Sequence, residues 1–260
     1  MLRTRDAMMG ELDRRVIYGA EGFIKNSTVP FSPLLRCSHA GYPQRHSAQI
    51  MMSMKIEPLT KPAFDQALSI LKDRDPDLRG VLSSFGPPPM WAREPGFPTL
   101  VHIILEQQVS LASAKAAFDR LRQAITILTP EEFLKLGAET LRQIGFSRQK
   151  TRYCRDLANA ITEGSLHLEW LEEMDDDLAR AELLKITGIG RWTADIYLLM
   201  ALRRPDIWPI GDLALALAVQ RIKRLESRPS SKELEALSES WKPWRAVAAR
   251  VFWHHYLSCS

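Results

Sequence analysis

The apolar residues of this chain recur at helical spacing along most of its length. Tyr153, Leu157, Ala160 and Ile161 share one face of a segment that Ser147 heads and Gly164 closes. Leu178, Ala181 and Leu184 form an apolar stripe on a second segment, and Ile196, Leu199 and Met200 form one on a third. Two helices packed back to back across a short link are therefore predicted. The same spacing predicts helices near 62–73, 98–108, 111–125, 191–203, 213–223, 232–240 and 244–257. Thr129-Pro130-Glu131-Glu132 combines capping-box spacing with proline at the first helical position, which starts another. No period-two alternation persists, so the fold class read from the pattern is all-α.

The first 53 residues break the pattern. They hold Pro30, Pro33 and Pro43, show no sustained period, and end in Ile50-Met51-Met52-Ser53-Met54. The chain divides into a poorly structured amino-terminal extension, 1–53, and a helical domain, 54–260. Translation beginning near Met51 or Met54 would account for the extension. Glu11, Asp13 and Glu21 argue against an organellar transit peptide, and no apolar signal core is present. Pro87-Pro88-Pro89 reads as a stiff linker.

Composition adds limits. With 260 residues, 45% of them hydrophobic, the chain can bury a substantial core. The net charge of +4 is modest and does not single out a nucleic-acid partner. Its distribution says more: Arg142, Arg148, Lys150, Arg152 and Arg155 precede a segment crowded with Glu169, Glu172, Glu173, Asp175, Asp176 and Asp177. Cys37, Cys154 and Cys259 are too few and too scattered for a disulfide framework, which fits a reducing intracellular compartment, the cytoplasm for a bacterial source. His102, His254 and His255 read as structural, and no His/Cys/Glu set has zinc spacing, so neither metal nor cofactor is expected. No apolar run is long enough to cross a bilayer.

The chemistry concentrates in two short segments. In Leu183-Leu184-Lys185-Ile186-Thr187-Gly188-Ile189-Gly190-Arg191-Trp192, two glycines punctuate the link between helices. A backbone without side chains can press against another molecule, and the second helix begins there with unpaired amides that suit a phosphate. Lys185 and Arg191 add attraction for a polyanion, against which Asp195 subtracts. Alone, this is equally a tight turn between two helices. The second segment, Trp208-Pro209-Ile210-Gly211-Asp212, leads into a Leu/Ala helix that Asp212 would cap. A helix amino terminus lowers a carboxylate's pKa, so Asp212 should stay ionised near neutrality and could stabilise an oxocarbenium-like sugar or orient a water.

Ile186 to Ala194, followed by Pro209-Ile210-Gly211-Asp212, resembles the hairpin, Gly/Pro-rich loop and catalytic aspartate of the helix-hairpin-helix DNA glycosylase superfamily, and within it the 3-methyladenine DNA glycosylase II branch. Three further segments carry the likeness: 104–110, 141–150 and 241–248. Together they span most of 55–257. The resemblance implies two helical lobes, with the middle helices in one, the first and last in the other, and the hairpin and Asp212 facing the cleft between them. It does not extend to the amino-terminal β domain of some relatives. An iron-sulfur cluster is excluded, because its four cysteine ligands exceed the three present.

The implied partner is duplex DNA containing damaged bases, bound by a monomer. Thr187, Gly188, Ile189, Gly190, Arg191 and Lys185 would hold the backbone. Gln108 occupies the position of the family's wedge, although a buried helix-end glutamine is the plainer reading. Relatives that also cut the strand carry a nucleophilic lysine where this chain has Trp192, so a monofunctional enzyme is implied. An alkylated purine is cationic, and aromatic rings would favour it over an undamaged base. Trp192, Trp91, Trp208 and Trp244 are the candidate pocket residues, with Trp253 a further option. Oxidised or mismatched bases remain an alternative substrate class, and a non-catalytic DNA-binding module an alternative function.

Overall fold

The computed structural model describes residues 56–259, so the expectations for 1–53 lie outside the described residues. Twelve α-helices run through this part: α1 Lys61–Arg74, α2 Pro76–Phe85, α3 Phe97–Glu106, α4 Leu111–Ala124, α5 Pro130–Lys135, α6 Ala138–Ile144, α7 Arg148–Thr162, α8 Asp176–Leu184, α9 Arg191–Met200, α10 Leu213–Ile222, α11 Ser231–Ser238 and α12 Arg245–Ser258. No strand occurs among the described residues. The starts are locally encoded. Thr60, Ser110, Thr129 and Ser147 each accept an amide hydrogen bond from the residue three positions on, which satisfies a donor the helix itself cannot.

Two helices were not expected. α2 buries only Leu78 and Val81 and contains Gly80, so its sequence carries little periodic signal. Asp75 sets it up by closing α1 and capping α2, accepting from the amides of Asp77 and Leu78. The same carboxylate takes Lys223 and the Trp241 indole, tying the start of α2 to the far end of the chain. The short α6 ends at Gly145 in a left-handed cap.

The stripe expected on α8 is also corrected. Leu178 and Leu184 are 41% and 43% exposed, and Ala181 is exposed too, whereas Ala179 and Leu183 face inward. The core of α9 decides this: Ala194 to Leu199 are all buried, and α8 packs against α9 with Ala179 and Leu183 buried in place of Leu178 and Leu184.

The helices sort into two packing groups. α1, α2, α10 and α12 pack on one another, while α3 to α9 form the other set, with α3 against α4, α7 and α9, and α8 against α9. Arg250 of α12 helps join the groups. Fully buried, it donates to the carbonyls of Met90, Ala246 and Leu199, and burial pushes its pKa down to about 10.

Candidate active site

Asp212 lies where the two groups meet. Pro209 is buried and Gly211 takes φ +87°, a turn open to glycine that aims the following carboxylate back across the start of α10. Asp212 Oδ1 accepts from the Leu215 amide at 2.7 Å, the expected cap. The remaining capacity goes to two tryptophans from different groups. Trp192 of α9 donates through Nε1 to Oδ2 at 2.9 Å, and Trp253 of α12 donates to Oδ1 at 3.2 Å. The carboxylate is 2% exposed.

That burial acts on its pKa. Desolvation raises the Asp212 pKa above the ordinary value, against the lowering by Trp192, the Leu215 amide, Trp253 and the Ala214 amide. The helix terminus was expected to depress it. The cap is present, but it is outweighed by the burial of the group.

The turn between α8 and α9 divides into used and available backbone. Gly188 takes φ +89°, and a Cβ there would sit 2.1 Å from Cγ of the Tyr153 ring, so this glycine is pressed against the protein's own α7. Ile189 is buried, and its amide donates to the Ile186 carbonyl at 3.0 Å. Gly190 has open space around its Cβ position and caps α9 with no side chain accepting its first amides, and Thr187 is exposed nearby. A phosphate would suit the Gly190 side of the turn.

The turn's cations are partly engaged. Lys185 Nζ pairs with Glu182 at 2.6 Å, and Arg191 Nε lies 3.3 Å from Asp195, itself held by Arg180 at 2.6 Å. Asp195 is fully buried, and its pKa is raised by burial despite both arginines. The upstream basic run is spent in much the same way. Arg142 pairs with Glu139, Arg155 donates to the Leu136 carbonyl, Lys150 to the Leu105 carbonyl, and Arg152 lies over the Tyr153 ring. Arg148, by contrast, stands exposed in the first turn of α7.

Gln108 is not buried. It projects from the turn between α3 and α4 at φ +57°, exposed. Its neighbour Gln107, which the sequence did not single out, donates through Nε2 to the Gly188 carbonyl and to Thr193 Oγ1, both at 2.9 Å.

The tryptophans separate by position. Trp192 and Trp253 hold the carboxylate, and Trp91, itself at φ +47°, meets the Trp253 ring edge-on at 6.5 Å. Trp208 is buried against Trp241 at 5.2 Å and Phe252 at 6.2 Å. Trp244 heads α12 nine residues before Trp253, so the helix carries it about 13 Å away along its axis. By sequence alone Trp253 does not stand out, because a tryptophan in a helix is ordinarily core. Only the approach of α10 to α12 brings it to Asp212.

The helical fold matches a known class. Residues 101–243, more than half of the chain, match the family described as HhH-GPD superfamily base excision DNA repair protein. The chain belongs to that superfamily. It is similar to YfjP of Bacillus subtilis, 31% identical over 59% of this chain and 56% of that protein, and so spans little more than half of that relative's length. It is 30% identical to DNA-3-methyladenine glycosylase 1 of Schizosaccharomyces pombe over 63% of this chain and 73% of that one. Among solved structures, the S. pombe 3-methyladenine DNA glycosylase in complex with abasic DNA aligns with a TM-score of 0.69 at 27% identity, covering 72% of this chain and 95% of that chain.

Proposed function

We propose that the chain is a monofunctional DNA N-glycosylase releasing alkylated purines of the 3-methyladenine type from duplex DNA. The observation that carries this is the Asp212 carboxylate held between two indole N–H groups beside the hairpin turn. The names of the relatives that match at about 30% identity favour an alkylated base.

Chemistry on the glycosidic bond requires the nucleotide outside the stack. The hairpin turn at Gly190 and Arg191 grips the backbone, and Gln108 fills the vacated space. The extruded sugar reaches Asp212 past Trp192 and Trp253, whose rings favour a cationic base. As the N-glycosidic bond breaks, its electron pair leaves with the alkylated base, which departs neutral. The ionised carboxylate stabilises the positive sugar and orients a water, which forms the new bond at the sugar carbon and gives up its proton to the carboxylate and thence to solvent. Trp192 offers no amine for a Schiff base, so the strand is left intact.

The test is release of free base from methylated, deaminated and oxidised duplexes, with and without alkali. Methylated duplex should lose base without nicking until alkali is added. Asp212→Asn should lower release at least ~100-fold while DNA binding persists. Unchanged turnover in that variant would overturn the catalytic role, nicking without alkali the monofunctional one, and release confined to the other lesions the substrate class.

A further inference from the structure

Three consecutive residues at the end of α3 are each held by a different part of the fold. The Leu105 carbonyl accepts from Lys150 of α7 at 2.7 Å. Glu106, buried, takes two nitrogens of Arg93 at 3.1 and 2.7 Å. Gln107 donates to the Gly188 carbonyl in the hairpin turn and to Thr193 in α9. The next residue, Gln108, is exposed in the left-handed region, which side chains with a Cβ occupy sparsely. Such a conformation persists where its surroundings over-determine it.

The anchors have a common geometry. Lys150 comes from the helix whose Tyr153 lies under Gly188, and Gln107 bonds the carbonyl of that same glycine. The hairpin turn, the start of α7 and the end of α3 are thereby locked together, and Gln108 is the residue this lock presents to solvent. Of the hydrogen bonds that anchor these three residues, those of the Gln107 side chain are the ones made to the hairpin turn and the start of α9.

We infer that Gln107 is a positioning residue: its carboxamide ties the α3–α4 turn to the hairpin, so that gripping the backbone sets Gln108 at a fixed place to fill the gap left by an extruded base. This rests on the glycosylase reading above and adds to it the element that registers the wedge against the phosphate grip. Gln107 touches no reacting atom. It acts through Gln108.

A double-mutant cycle tests it, read by the fluorescence of 2-aminopurine placed beside a methylated base in duplex DNA. Gln107→Met keeps length and volume and removes both donors. It should slow extrusion about tenfold in the parent background and less than about twofold when Gln108 is already alanine. Equal slowing in both backgrounds, or no slowing in either, would overturn the inference, because a merely structural residue acts regardless of Gln108. Should Gln107→Met fold poorly, Thr193→Val removes one of the two acceptors and should show the same dependence on Gln108. The fluorescence reads extrusion without base release. A chain that extrudes but never hydrolyses defeats the glycosylase reading and leaves the tether standing, whereas one that hydrolyses with independent effects at 107 and 108 defeats the tether alone.

Discussion

Trp192 Nε1 donates to Asp212 Oδ2 at 2.9 Å, across 20 residues of sequence, and so joins the first turn of α9 to the cap of α10. The bond favours the carboxylate over the acid, opposing a burial that does the reverse. Removing it should therefore make Asp212 harder to ionise. In Trp192→Phe, the acid limb of the pH profile of kcat/KM for base release should move to higher pH. An acid limb in the same place would show that this indole does not govern the protonation of Asp212.

Stability should carry the same signature. The folded Asp212 pKa lies above its ordinary value of 3.8, so between those two values the folded chain holds more protons than the unfolded one. Stability from this group is thus lost as pH rises through that window. Asp212→Asn has no such dependence. The difference in Tm, variant minus parent, should grow in the variant's favour from pH ~4 upward and level off above the folded pKa. Constant offsets from altered hydrogen bonding cancel in the slope. A difference flat across the range would contradict the raised pKa.

The two hairpin glycines should behave oppositely. Gly188→Ala puts a Cβ 2.1 Å from the Tyr153 ring at φ +89°, and should cost about 2 kcal/mol or more of stability. Gly190→Ala meets open space, so its cost should stay below about 1 kcal/mol, while duplex binding weakens because the methyl group stands where a phosphate would approach. Thermal melts and duplex titrations of both variants check this. A Gly190→Ala protein that binds as the parent does would place the phosphate elsewhere.

Arg191 is half exposed and held only at long range, by Asp195 at 3.3 Å and Glu235 at 3.9 Å, whereas Lys185 is paired with Glu182 at 2.6 Å. Arg191→Gln should lower the slope of log affinity against log salt by about 0.9, one phosphate contact. Lys185→Gln should lower it less. Slopes unchanged in both would remove the hairpin's cations from the interface.

Much of this was legible in local spacing. Thr129, Ser147 and Asp212 announce their helices through chemistry confined to one turn, and each cap is found. The helix containing Gly80 was invisible because its burial is slight and its cap, Asp75, derives its setting from Lys223 and Trp241, far away in sequence. Gln107 carried no signal either. A glutamine at a helix end is unremarkable until its two acceptors, 81 and 86 residues distant, are in place.

By itself, the sequence determined that the chain is helical, that a glycine-punctuated turn precedes Arg191, and that an aspartate heads the helix after Gly211, since all of these follow from periodicity, capping and turn chemistry over a few residues. Tertiary structure alone decided that α8 turns Ala179 and Leu183 inward instead of Leu178 and Leu184. It also decided that Trp192 and Trp253 hold the carboxylate while Trp208 fills the core, and that burial raises the Asp212 pKa despite its cap. The reason is common to all three: burial and its desolvation are set by helices that meet in space from distant parts of the chain, and no local pattern encodes which surfaces they remove from water.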